Sequence, residues 1–142
     1  MSIKWDQRFI ELAEVVSTWS KDPKKQVGAV IVDKFNRIVS TGYNGLPRGI
    51  PDTPELLLNQ ELKLPAIIHA EVNAILFAKA DLTDCTLYTT LPTCTPCSSL
   101  IIQSGIKRVV CKKYNNPSSK WCESFEQAKI NYAQVRIELT IV

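Results

Sequence analysis

Hydrophobic positions recur at helical spacing over residues 6–20, where Phe9, Ile10, Leu12, Ala13, Val16 and Trp19 make one apolar face. Asp22-Pro23 breaks that rhythm. The stretch Gln26-Val27-Gly28-Ala29-Val30-Ile31-Val32-Asp33 is rich in β-branched residues and predicts a buried strand. Lys34-Phe35-Asn36 reads as a short turn and residues 37–43 as a second strand, completing a hairpin. From 44 to 65 the periodicity lapses, and Gly45, Pro47, Gly49, Pro51, Pro54 and Pro65 punctuate the chain. This predicts an insert laid over a surface, at about 45–65, with a helical piece at 55–62, rather than a linker between domains. Helical spacing returns over 69–80, with Val72, Ile75, Leu76 and Phe77 expected to face inward. A short strand at 86–90, a helix at 97–104 stopped by Gly105, a strand at 108–111, a helix at 125–130 and an alternating strand at 134–139 complete the reading.

The order α-β-β-α-β-α-β-α-β predicts an α/β fold: a three-layer α-β-α sandwich around a central mixed five-stranded sheet, in one domain over 1–142. With 45% hydrophobic residues in 142, the chain has material for a real core. A net charge of +3 is mild, and its lysines are scattered except at Lys21, Lys24 and Lys25, a cluster suited to one small anion. We therefore expect no nucleic-acid partner. No apolar run reaches the length of a membrane span, so no membrane partner is expected either. The first residues lack the basic-then-apolar layout of a secretion signal, which places the protein in the cytoplasm.

Five cysteines, an odd number, argue against a complete disulfide framework, and a close pair points to metal or redox chemistry. His69 is the only histidine. It opens the triplet His69-Ala70-Glu71, and Cys94-Thr95-Pro96-Cys97 follows later. Each group stands where a helix begins after a strand or loop. One imidazole and two thiolates make three ligands for Zn²⁺, and catalytic zinc sites leave the fourth place to water. Helix N-termini favour thiolate over thiol. Glu71, two residues past the histidine, can reach that water without ligating the metal. Attack at C4 of a cytosine needs N3 protonated and then the leaving amine protonated, and one carboxylate can serve both steps. Alone, neither motif says much; in this order they match the signature of zinc deaminases.

Further stretches narrow the match. Ser20-Lys21-Asp22-Pro23, Gln26-Val27-Gly28-Ala29, Gly42-Tyr43-Asn44-Gly45, His69-Ala70-Glu71-Val72-Asn73-Ala74 and Ile101-Ile102-Gln103-Ser104-Gly105-Ile106-Lys107 together resemble the deoxycytidylate (dCMP) deaminases, a branch of the cytidine deaminase superfamily. The resemblance runs from the first helix to about Cys111. It implies a cytidine deaminase-like fold and hydrolysis of dCMP to dUMP and ammonia, which supplies the precursor of thymidylate. It implies one zinc per chain on His69, Cys94 and Cys97, with Glu71 as proton shuttle. Asn44 would then hydrogen-bond the nucleotide, and Ala70 would lie against it. It further implies a homohexamer activated by dCTP, with Mg²⁺ accompanying that effector, and inhibited by dTTP, the effector site drawing on Gly42, Tyr43, Asn44 and Gly45.

For the phosphate, Ser20 and Lys24 are the candidates we single out, and Tyr114 is better read as a loop residue than a lid over the nucleotide. The segment 112–120 reads as a flexible or lid-like loop. Cys111 reads as a small core residue, Trp5, Trp19 and Trp121 as packing, and Cys85 and Cys122 receive no role. One departure stands out: Pro92-Thr93-Cys94 puts threonine where the family carries proline directly before the first cysteine. The insert offers no histidine or cysteine for a second zinc. Three rivals stay open: a deaminase for another base or for tRNA, a structural zinc module with a fourth protein ligand, and a Cys-x-x-Cys redox protein.

Overall fold

The computed structural model describes residues 3–114 and 120–142. In chain order the elements are α1 (Ile3–Ser17), β1 (Gly28–Val32), β2 (Ile38–Tyr43), α2 (Pro54–Leu58), α3 (Gln60–Ala66), α4 (Ala70–Ala78), β3 (Thr86–Thr89), α5 (Thr95–Gln103), β4 (Arg108–Cys111), α6 (Lys120–Gln134) and β5 (Glu138–Ile141). The five strands form one sheet in the order β2-β1-β3-β4-β5. β1 pairs antiparallel with β2 and β3, whereas β3–β4 and β4–β5 are parallel. The expected mixed sheet is therefore present.

Strand side chains alternate between two faces. Ala29, Ile31, Leu87, Val109 and Cys111 point into a core shared with Ala70, Ala74, Ile101, Phe125 and Tyr132, from α4, α5 and α6. Val30, Val32, Tyr88 and Val110 point the other way, onto Phe9, Ile10, Ala13 and Val16 of α1. Burial on both faces explains why β1 reads as a continuous apolar run.

Two glycines let helices lie close to strands. A Cβ on Gly28 would fall 2.0 Å from the Ala13 carbonyl oxygen of α1, and one on Gly42 would fall 2.4 Å from the Ala74 backbone nitrogen of α4. The second contact corrects part of the expected face of α4: Val72 and Ile75 pack against the core as expected, but Leu76 and Phe77 do not. Ala70, Glu71 and Ala74 are its buried residues, and Leu76 and Phe77 are about half exposed. Small side chains, not large ones, set this helix against the sheet.

A buried polar knot ties α1 to the sheet. Arg108 of β4 grips the Asp6 carboxylate through both terminal nitrogens, at 2.8 and 2.7 Å, and the Tyr88 hydroxyl donates to the same group at 2.8 Å. Arg108 chiefly, helped by Tyr88 and opposed by burial, holds the Asp6 carboxyl below its ordinary value.

Element ends differ from the sequence reading in instructive ways. α1 stops at Ser17 because Thr18, Trp19 and Ser20 donate three residues back, not four, tightening the last turn. The insert holds two short helices: Asn59 ends one and caps the next, its Oδ1 accepting from the N–H of Glu61 and Leu62. α6 is longer than predicted, since only Phe125, Ala128 and Tyr132 are fully buried and its remaining positions carry little apolar signal. β5 starts at Glu138, after a turn in which Arg136 takes a positive φ of 61°. Most of the predicted loop at 112–120 lies outside the described residues. Among the described residues no helix is long and apolar enough to cross a membrane.

Candidate active site

Two helix starts build the site. His69 is the N-cap residue of α4 and Cys94 that of α5, and Cys97 lies in the first turn of α5. The His69 side chain makes no capping bond to its own helix, which leaves its ring for other work. Paired hydrogen bonds between Gly45 and Ile68 pin the approach to His69, and Pro96 in the first turn of α5 presets its backbone. His69 Nδ1 lies 3.1 Å from Cys97 Sγ and 3.5 Å from Cys94 Sγ. The three candidate ligand atoms lie within 4.8 Å of one another. Zinc bonds of ~2.0 Å to nitrogen and ~2.3 Å to sulfur would put tetrahedral ligands roughly 3.5–3.8 Å apart. The cluster fits that ion with little adjustment.

The electrostatics agree. Without a metal, the Cys94 thiol is pulled down to about 4, first by the hydrogen bond from Cys97 and then by His69, against the opposing effect of burial. The Cys97 thiol is pushed up by the same hydrogen bond and by burial. The Cys94 hydrogen bond raises His69. Three donors competing for protons in a buried corner, at two helix N-termini, are the arrangement a divalent cation relieves.

Glu71, in the first turn of α4, is 2% exposed. Its Oε1 accepts a hydrogen bond of 3.0 Å from the Thr89 hydroxyl at the end of β3. Burial raises its pKa, opposed by the charge of His69 and by the Thr89 bond. A carboxyl so placed holds a proton more readily than one in water.

His69, Ala70 and Glu71 open into a cavity of about 420 Å³, the size of a small-ligand pocket. Its other walls come from Asp22, Lys24, Lys25 and Val27 before β1, Asn44 after β2, Gln60, Lys63, Leu64 and Ile67 of the insert, Leu91, and Trp121 of α6. The zinc-deaminase motifs thus lie on the floor of a pocket.

The family model for the cytidine and deoxycytidylate deaminase zinc-binding region matches residues 3–113. The chain belongs to that deaminase family. It is 44% identical to an uncharacterized deaminase of Aliivibrio fischeri, over 99% of this chain and 95% of that protein. It is 41% identical to the deoxycytidylate deaminase of Homo sapiens, over 76% of this chain, and the match spans 64% of the human protein's length. The dCMP deaminase of the cyanophage S-TIM5 superposes with a TM-score of 0.74 at 24% identity, with both chains covered in full. That last likeness speaks for the fold.

Within this deaminase framework the predicted residues take several positions. His69, Glu71, Cys94 and Cys97 converge, and Ala70, Asn44 and Lys24 line the cavity. The Asn44 amide is already engaged: its Oδ1 accepts from the Val27 N–H and its Nδ2 donates to the Lys25 carbonyl, both at 2.8 Å. Ser20 is buried outside the cavity lining, and its hydroxyl donates to the Asn44 carbonyl at 2.8 Å. Gly42 lies under α4, Tyr43 is exposed beside Trp19, and Gly45 pairs with Ile68.

The sequence reading did not single out Lys63 and treated Trp121 as packing. The Trp121 ring lies 5.6 Å from the His69 ring, held by its Nε1 donating to the Pro92 carbonyl at 2.8 Å. No spacing rule links positions 69 and 121, so only the folded chain brings them together. Thr93 is wholly buried, with its hydroxyl 2.7 Å from that of Tyr132.

Proposed function

We propose that this chain is a zinc-dependent dCMP deaminase, converting dCMP to dUMP and ammonia. The observation that carries the reading is a His-Cys-Cys cluster and a buried carboxyl on the floor of a cavity rimmed by lysines. The deoxycytidylate deaminases at 41–46% identity support the choice of substrate.

His69, Cys94 and Cys97 would hold the metal. A zinc ion bound there acts as a Lewis acid that makes water nucleophilic near neutral pH. Glu71 takes a proton from the attacking water and passes it to N3 of the cytosine. A second transfer through Glu71 protonates the amine leaving C4, so water in and ammonia out balance. Thr89 holds the carboxyl in place for both steps. Asn44, Ala70, Ser20 and Lys24 shape the substrate side, Ser20 by fixing the Asn44 backbone. Trp121, beside His69, offers a flat apolar surface to the base.

In the same reading the product feeds thymidylate synthesis in the cytoplasm. The enzyme works as a homohexamer that dCTP, with Mg²⁺, activates and dTTP inhibits through Gly42–Gly45. The family likeness is the support for these points. The test is ammonia release from dCMP, deoxycytidine and CMP by zinc-loaded protein, with and without dCTP and Mg²⁺. Rapid turnover of dCMP alone, stimulated by dCTP, is expected; failure with all three removes the reading.

A further inference from the structure

Lys63 and Arg108 are the buried cations among the described residues. Arg108 places both terminal nitrogens on Asp6, as described above. Lys63, 2% exposed on α3, rests on a single side-chain acceptor: its Nζ donates to Asp22 Oδ1 at 3.1 Å. An ammonium carries three N–H donors, and Asp22 is the acceptor found for it among the described residues. That carboxylate is shared, because Oδ1 also accepts the backbone N–H of Lys24 at 2.8 Å and of Lys25 at 3.1 Å.

A tie that only fastened the insert to the body would be as stable built from apolar side chains. Here a cation is instead placed in the wall of the cavity whose floor is His69 and Glu71. Lys24 and Lys25 bring two more positive charges to that lining, against the carboxyls of Asp22 and Glu71. Those two lysines are exposed, where water and salt screen them, and Lys25 already sits over the Tyr114 ring. The buried ammonium is the one least screened by water and salt.

We propose that Lys63 reads the 5′-phosphate of the nucleotide. The phosphate oxygens take the N–H donors that Asp22 leaves unused, and Asp22 is the partner that holds the ammonium in the cavity wall. The proposal rests on the nucleotide reading above. It makes the insert the part of the chain that separates a nucleotide from a nucleoside.

Calorimetric titration of dUMP and deoxyuridine separates the two readings, because binding of the product needs no turnover. Wild-type protein should bind dUMP the more tightly. Lys63→Met should weaken dUMP roughly 10- to 100-fold, the loss expected for a charged hydrogen bond, and leave deoxyuridine unchanged. Asp22→Asn, which keeps an oxygen for the two backbone N–H groups but removes the competing charge, should bind dUMP at least as tightly as wild type. It decides the question if Lys63→Met does not fold. Equal loss for both ligands in Lys63→Met, no loss at all, or weaker dUMP binding by Asp22→Asn than by wild type overturns the role of Lys63 alone. Wild-type protein that binds neither ligand overturns the nucleotide reading, and Lys63 with it.

Discussion

Glu71 is positioned by its backbone, by Thr89 and by exclusion of solvent, and none of these depends on the metal ligands keeping their charge. Glu71→Gln preserves shape and burial but cannot carry a proton. We expect it to retain one equivalent of zinc by metal analysis while ammonia release falls by ~10²–10⁴-fold, the usual contribution of general acid–base catalysis. A variant with full activity would make Glu71 a bystander and reopen the structural-zinc alternative. The chemistry of these side chains was readable in advance because all four sit in two short motifs. Lys63 and Trp121 were not: each is unremarkable within its own segment, and only folding brings it to the cavity wall.

Where helices meet strands, the fit is set by what is missing from a side chain. Gly42→Val would thrust a branched side chain into the backbone of α4, whose first residues carry His69 and Glu71 toward the cavity. Overpacking of this kind costs about 1–3 kcal/mol or more. We expect a lowered melting temperature by calorimetry together with a loss of turnover that added zinc does not restore.

On the opposite face, the knot of Asp6, Tyr88 and Arg108 makes α1 sensitive to acid. The Asp6 carboxyl titrates below its ordinary 3.8 in the folded chain, so its stabilisation is complete above that value and fades as pH falls through the native one. Asp22 shifts in the same direction: burial raises it, but the N–H groups of Lys24 and Lys25 and the ammonium of Lys63 outweigh that. Denaturant melts between pH 3 and 7 should show stability dropping below about pH 4. Asp6→Asn should flatten part of that fall and cost about 3–5 kcal/mol at neutral pH, since it removes the buried counter-charge of Arg108 and leaves only the exposed Glu138 carboxylate, 3.4 Å from its Nε. An unchanged acid limb would assign the effect elsewhere.

The elements themselves were largely legible. The strand over 108–111 was placed to the residue: the β-branched pair Val109-Val110 follows a glycine stop and precedes Lys112-Lys113, and all four positions are buried in the sheet. Misplacement occurred where tertiary contacts override local pattern. α4 buries alanines and exposes Leu76 and Phe77, because Gly42 lets its backbone sit where large side chains would not fit. α6 is long although few of its side chains are buried, since a single stripe of Phe125, Ala128 and Tyr132 anchors it.

Taken together, the site joins the starts of two helices that lie 25 residues apart in sequence, at His69 and Cys94. A metal across that junction is a cross-link in the folded state only, so it should stabilise by mass action. Zinc at a thousandfold excess over its Kd would contribute about 4 kcal/mol. Removal by a chelator should therefore lower the melting temperature on the order of 10 °C, and restored zinc should reverse it. A melting curve indifferent to chelator would argue against metal bound at this junction.

The cavity also divides along the chain in a way that bears on descent. Its floor belongs to two helix starts wedged against the sheet, where small changes in backbone position are penalised by close contacts on every side. Its roof belongs to the segment before β1, the insert and α6, which meet the floor from outside. A lineage can exchange, lengthen or recharge the roof without disturbing the reactive corner. New preferences for base, sugar or phosphate can therefore arise while the hydrolysis itself is inherited intact.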